Sequence, residues 1–360
     1  MKKIVVIATI LSLFISCKKT TNKESQTVAS NPTDSVAKQV ITVAKFKGQQ
    51  VTGVSVSDSG RIFVNFPRWR NGVANSVVEI TADNQKKSYP NDVWNSWEIG
   101  QTVADDKFVG VQSVVAFENK LYVLDTRSQL FENVLDAPRV FVFDLLTDTL
   151  LRTYVLDENS YHPNSYINDL RVDKKNNKIY FTDSGHAGLV MLDLDSGKSK
   201  RILNDHESTS AEMQFLTFGE KKWERAIHSD GIALDTKNNR LFYHALTGYS
   251  LYSIPTNSFE LDDETQIEKS VKLEAKTAAP DGLILDKEGN LYFADLENNK
   301  IQYRKPDGSI HTLIEGDAIK WADTFSVHDN YLYFTNSRIN EVTEDISEMV
   351  FTLNKIELPK

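Results

Sequence analysis

Asp281-Gly-Leu-Ile-Leu-Asp-Lys-Glu-Gly-Asn-Leu-Tyr-Phe-Ala-Asp295 is the stretch whose reading decides the fold. Leu283 and Leu285 alternate with small or polar neighbours, Glu288-Gly289-Asn290 supply turn chemistry, and Leu291-Tyr292-Phe293 resume a β-rich run. It reads as two short strands joined by a tight turn. The chain repeats this unit from Val51 to Phe63, Gln112 to Tyr122, Asn168 to Tyr180, Asp230 to Phe242 and Asp323 to Tyr333. The matching aromatics Phe63, Tyr122, Tyr180, Phe242, Tyr292 and Tyr333 are separated by 59, 58, 62, 50 and 41 residues. Six hairpin repeats at this spacing predict an all-β, six-bladed propeller.

Outward from each hairpin lie candidate third strands. These are Arg139-Val-Phe-Val-Phe-Asp144, Gly188-Leu-Val-Met-Leu-Asp193, Ser250-Leu-Tyr-Ser-Ile254 and Lys300-Ile-Gln-Tyr-Arg304. After the sixth hairpin only one long strand follows, Glu348 to Ile356, so the last blade is one strand short. Gln39-Val-Ile-Thr-Val-Ala-Lys-Phe46 has no partner in its own repeat and is expected to complete that blade. Such closure ties the ring with main-chain hydrogen bonds and hides the open edges. One domain over residues 39–360 follows, because blades bury their faces only against each other. Long insertions at 67–110, 126–138, 204–229 and 255–270 are expected to cover an end of the ring.

The 360 residues are 40% hydrophobic and 25% charged, ample for a core. Met1-Lys2-Lys3 followed by the apolar run Ile4 to Ile15 reads as a secretion signal, too short for a membrane span. Cys17, the single cysteine, stands where a bacterial lipoprotein is cleaved and lipidated. Residues 1–17 are thus expected to be a signal peptide and 18–38 a flexible tether. The expected location is the bacterial cell envelope, lipid-anchored. With Cys17 acylated, no thiol is left for a disulfide, a zinc site or a nucleophile. Loss of Lys2 and Lys3 leaves 39 basic against 50 acidic residues, a net charge of −11. That charge disfavours nucleic acid and anionic lipid and suits a soluble monomer with a small-molecule ligand.

The residues opening the innermost strands are Thr52, Gln112, Asn168, Asp230, Asp281 and Asp323. Innermost strands converge on the axis, so all six approach one channel mouth. Three Asp and an Asn in one throat repel unless protons or a cation intervene. Oxygen-only ligands from Asn168, Asp230, Asp281 and Asp323 would suit one divalent cation, Ca²⁺ or Mg²⁺. Asp-Gly is also ordinary turn chemistry, and these aspartates could instead cap backbone N–H groups. His228 is a candidate acid/base beside the cluster. Arg68 and Trp69 could stack on a flat ligand at the mouth or pin their loop to blade 1. His162, His186 and His206 have no metal-ligand spacing.

Phe63-Val-Asn-Phe-Pro-Arg-Trp-Arg70, Tyr89-Pro-Asn-Asp-Val-Trp94 and Leu121-Tyr-Val-Leu-Asp-Thr126 resemble, in order, signatures of the royal-jelly/yellow protein family. Asn168-Asp-Leu-Arg-Val-Asp173 and Tyr180-Phe-Thr-Asp-Ser-Gly185 continue the match. The resemblance implies a six-bladed propeller that binds a small molecule in its channel or, in some members, isomerises dopachrome. More distantly the chain is similar to the SMP-30/gluconolactonase propellers. That resemblance implies a substrate-binding role for Asn168 and Asp169 and metal-binding or catalytic roles for Asp230 and Asp281. Thr52 stands where that family has a metal-binding glutamate, which argues against lactonase chemistry.

Three functions follow. The first is a small-molecule binder for an aromatic or amine-bearing ligand, acting, if catalytic, as a tautomerase or isomerase with Asp230 or Asp281 as base. The second is a metal-dependent sugar-lactone hydrolase in which Asp281 activates water. The third is a non-enzymatic interaction propeller, against which the clustered acids argue.

Overall fold

A computed structural model describes residues 39–83 and 85–359. The expected signal peptide 1–17 with Cys17 and the expected tether 18–38 lie outside the described residues, which begin at Gln39. Six four-stranded antiparallel sheets form the blades. Their innermost strands are Gly53–Val56, Val111–Phe117, Ile167–Asp173, Ser229–Asp235, Leu283–Leu285 and Ala322–His328. Each pairs with the strand that follows it through the turn read in the sequence. The third strands of blades 2, 3 and 5 span Arg139–Asp144, Gly188–Asp193 and Lys300–Arg304, with the expected bounds.

Blade 6 closes as expected. Ile41–Lys47 pairs antiparallel with Val350–Glu357, so the N-terminal strand is the outermost of the last sheet. Phe46 is buried in this sheet against Phe66 of blade 1, with ring centroids 5.2 Å apart. The strand therefore carries core packing as well as ladder hydrogen bonds.

One expectation is corrected. Residues 67–110 are not wholly an insertion, because Val77–Ile80 and Lys86–Ser88 are the third and fourth strands of blade 1. Both are short and lie between turn-rich stretches, so period-2 alternation has little length in which to register. The 204–229 insertion contains a small hairpin, Leu216–Phe218 with Lys221–Trp223. The 255–270 insertion joins a third strand to a fourth and lies at the far end of the inner strands from the expected mouth.

Candidate functional site

Local backbone geometry sets the axial residues apart. In blades 2, 3, 4 and 6 the inner-strand register slips between Val111/Ser113, Ile167/Leu170, Ser229/Gly231 and Ala322/Phe325. Gln112, Asn168, Asp169, Asp230, Asp323 and Thr324 fall within those slips. A bulge leaves its residue out of the ladder and re-aims its side chain, here at the mouth end of each strand. The adjoining glycines serve close approach: a Cβ on Gly231 would lie 2.3 Å from the Asp281 carbonyl oxygen, and one on Gly282 would lie 2.7 Å from that of Asp323. Neighbouring inner strands are thereby drawn tightly together.

Asp230, Asp281 and Asp323 are 4%, 6% and 5% exposed, so their carboxyls have almost no water. Burial pushes Asp230 well above the usual carboxylate range, and the neighbouring Asp281 and Asp323 add to it. Burial and Asp281 do the same to Asp323. Burial lifts Asp281 to about 6, while the Trp321 indole N–H and a shared hydrogen bond with Asp230 hold it down. Two carboxyls bonded to each other in a dry site keep one proton between them.

A one-directional chain of donors runs into that pair. Trp69 Nε1 donates to Tyr166 Oη (2.6 Å), and Tyr166 Oη donates to Gln112 Oε1 (2.7 Å). Gln112 Nε2 donates to Asn168 Oδ1 (3.1 Å), and Asn168 Nδ2 donates to Asp230 Oδ2. From the other side Trp321 Nε1 donates to Asp281 Oδ2 at 2.6 Å. Trp321 has φ = 57°, a left-handed conformation that is a real outlier for so bulky a residue. The 204–229 hairpin packs over its indole through Phe218 (5.5 Å, stacked) and Trp223 (5.0 Å, edge-on). A strained backbone and an aromatic cover thus aim one N–H at one carboxylate.

The mouth above this network is aromatic. Trp69 stacks on Phe131 at 5.1 Å, and Phe131, 64% exposed, lies 6.5 Å from Tyr166. Leu130 and Phe131 are consecutive non-glycine residues with φ of 51° and 58°, so the 126–138 loop carries strain where it covers the site.

The other candidates are placed as follows. Arg68 is buried, and its guanidinium donates to the carbonyls of Asn95 (3.0 Å), Trp97 (2.6 Å) and Phe108 (3.0 Å) and to Ser76. It pins the blade 1 loop, and of the two roles open to it this is the one its hydrogen bonds serve. Thr52 accepts from Asn65 Nδ2 at 3.2 Å, and its carbonyl accepts from Thr335, joining blade 1 to blade 6. Asp169 accepts from Ser113 Oγ (2.7 Å) and Arg171 (2.8 Å), and its charge helps raise all three axial carboxyls. His228 accepts the Ala211 N–H on Nδ1, and its charged neighbours are Asp183, His186 and Asp205 rather than the axial carboxyls. His162 and His186 stack at 3.8 Å away from the dyad's hydrogen bonds. Among the described residues Asp230, Asp281 and Asp323 cap no backbone N–H; their donors are side chains of Asn168, Trp321, Thr324 and Ser337.

Four members were missed in the sequence: Phe131, Tyr166, Arg171 and Trp321. Trp321 stands two residues before Asp323, and only its left-handed backbone and fold position reveal it. Arg171 crosses from blade 3 to blade 5, donating to the Leu283 carbonyl at 2.6 Å while paired with Asp169.

The donor set bears on a divalent cation. Asn168 presents its N–H to Asp230 and gives its oxygen to Gln112, so the side of the amide facing the carboxyls is a donor. Among the described residues no three His, Cys, Asp or Glu side chains are arranged to hold a metal ion. As placed, these residues do not fit one.

Fold and site together define a six-bladed propeller with a dry, proton-sharing carboxyl pair at its axis and an aromatic mouth. The pattern of the family "Major royal jelly protein" matches residues 111–354, more than half of the chain, and the chain belongs to that family. The yellow proteins of Drosophila erecta and Drosophila melanogaster are 30% identical to it over 183 residues, 48% of this chain and 34% of theirs. The chain's match thus spans about a third of those relatives' length. Among solved structures, a luciferin-regenerating enzyme aligns with a TM-score of 0.57 and 11% identity, covering 89% of this chain and 95% of its own. A gluconolactonase from Xanthomonas campestris aligns at 0.56 and 12%, covering 89% and 90%. Virginiamycin B lyase from Staphylococcus aureus aligns at 0.52 and 13%, covering 89% and 100%. At such identities the likeness is one of fold alone.

Proposed function

We propose that this propeller binds a small aromatic, amine-bearing molecule at its axial mouth and moves a proton between two atoms of it. The observation that carries the reading is the Asp230–Asp281 pair, sharing a proton with donors converging from both sides. Trp321 donates to Asp281 and favours its ionised form, which makes Asp281 the base. Asp230, held neutral by burial and its acidic neighbours, is the acid. In one turnover Asp281 takes a proton from one substrate atom, the electron pair shifts through the conjugated unit, Asp230 gives a proton to the atom at its far end, and the proton gained by Asp281 then passes to Asp230 to restore the pair. No electrons leave the substrate, so no redox partner is required. The acidic throat attracts an amine, and Trp69 and Phe131 offer flat faces to a ring. Entry requires the Trp69–Phe131 stack to part.

Dopachrome is the probe for the reaction and tryptamine the probe for binding. Wild-type protein should accelerate loss of dopachrome absorbance, and Asp281→Asn should slow it about 10²-fold or more. Tryptamine should bind saturably to both. A wild-type rate equal to buffer, with no saturable tryptamine binding, overturns the reading.

Cation-assisted lactone hydrolysis is the second reading of the same three carboxyls, and it requires Asn168 to turn its oxygen inward. Calcium or magnesium at ~100 times its dissociation constant would then stabilise the protein by about 2.7 kcal/mol. A melting curve indifferent to both ions and to chelator removes it. We further propose an envelope location through lipid on Cys17; membrane retention of a Cys17→Ser protein that takes up no palmitate would exclude it.

A further inference from the structure

One cleft in the described structure lies away from the axial mouth. It measures about 610 Å³ and lies between blades 3 and 4, at the opposite end of the inner strands. Its walls are the hairpin turns of those blades and the Thr256–Glu260 turn of the 255–270 insertion. Both hairpin turns have the same sequence logic, Asp173-Lys-Lys-Asn-Asn177 and Asp235-Thr-Lys-Asn-Asn239.

In each turn the aspartate clips the first asparagine. Asp173 accepts from Asn176 N (3.1 Å) and Nδ2 (2.8 Å), and Asp235 accepts from Asn238 N (3.0 Å) and Nδ2 (2.7 Å). The clip closes the turn, and blade 5 uses a similar one between Asp286 and Asn290. Turn closure employs only the N–H side of each amide. It fixes the rotamer and leaves Oδ1 of Asn176 and of Asn238 as oriented acceptors on the cleft lining. Asn239 is fixed the other way round: Lys175 Nζ donates to its Oδ1 at 2.7 Å, leaving its NH₂ group as a donor. Asn257 adds a fourth amide from the facing wall.

Charge on the lining is balanced. Lys178 pairs with Asp193 (2.7 Å) and Glu260 (3.1 Å), so no net charge is offered to an ion. Tyr180 is only 1% exposed, so its ring face is no platform for a flat aromatic. Fixed amide acceptors and donors around a neutral cleft of this size match a polyhydroxylated, uncharged ligand, whose hydroxyls donate and accept at close spacing. Because their orientation is set before binding, little rotamer entropy remains to be lost.

We propose that this cleft is a binding site for a neutral oligosaccharide, separate from the axial mouth. The test titrates the full chain with cellotriose, maltotriose and triacetylchitotriose, and with trigalacturonate as the charged control. At least one neutral trisaccharide should bind saturably, and Asn239→Ala and Asn257→Ala should each weaken it about tenfold. Asn257→Ala lies in an exposed turn and should melt with the wild type, Asn239→Ala should melt somewhat lower because its φ of 51° favours Asn but should still unfold cooperatively above the titration temperature, and tryptamine binding should be untouched in both. The proposal is overturned if none of the three neutral sugars saturates by roughly 20 mM. It is equally overturned if trigalacturonate binds more tightly than they do, or if the double variant binds them unchanged.

Discussion

The propeller buries two sets of aspartates that look alike in sequence and behave oppositely. Asp125 and Asp183 end the second strands of blades 2 and 3, and Asp230, Asp281 and Asp323 open the first strands of blades 4, 5 and 6. Asp125 accepts the N–H groups of Val109 (2.7 Å), Gly110 (2.8 Å) and Arg127 (3.0 Å). Asp183 accepts those of Tyr166 (2.8 Å), Gly185 (3.1 Å) and His186 (3.0 Å) and pairs with Arg201 at 2.8 Å. At the end of a second strand the chain turns, so unpaired backbone N–H groups lie within reach. At the start of a first strand the donors are side chains, Asn168 for Asp230, Trp321 for Asp281 and Thr324 for Asp323, and a neighbouring blade's carboxyl adds its repulsion. A buried carboxyl is therefore a structural anion or a proton holder according to what faces it, and burial alone does not distinguish the two.

The largest expected effect breaks the first set. Asp183→Ala orphans three N–H groups and leaves Arg201 buried without its counter-charge, a cost of about 3–5 kcal/mol. Denaturant unfolding measures it, and a loss below about 1 kcal/mol would erase the contrast with the axial set.

Asp281→Asn should act in the other direction. The folded protein holds protons on the axial carboxyls that the unfolded chain has released. Stability from this source is thus full below 3.8 and lost as pH rises through about 6 for Asp281, and it is likewise lost as pH rises for Asp230 and Asp323, which burial also pushes well above the usual carboxylate range. Wild-type protein should therefore lose stability relative to Asp281→Asn as pH climbs from 4 to 8, on the order of 1–3 kcal/mol in total. Thermal unfolding of the two proteins across that range reads the difference directly. Parallel curves would mean that Asp281 is ionised in the fold throughout.

Trp321→Phe gives the smallest effect and the sharpest one. Losing a single donor costs about 1 kcal/mol, and the Asp281 titration should move upward because its ionised form loses the indole N–H. A carboxyl-labelled NMR titration follows this. An unmoved midpoint would reduce the indole to packing.

The hairpins, the blade count and the closing strand were legible in the chain because each rests on local alternation and turn chemistry. The six axial positions were legible too, since the opening residue of an inner strand can be counted off. What Arg68 does was not legible. A guanidinium in a loop reads as ligand-facing or loop-pinning alike until the carbonyls of Asn95, Trp97 and Phe108 close around it.

Sequence alone therefore determined the six-bladed ring and the order of its strands, since these follow from patterns a few residues long. Tertiary structure alone decided that Asp230 and Asp281 are buried side by side, that Trp321 donates to one of them across 40 residues, and that Arg171 spans to Leu283. Proton affinity is set by desolvation and by the distance to the next charge, and in a propeller both are fixed between blades rather than along the chain.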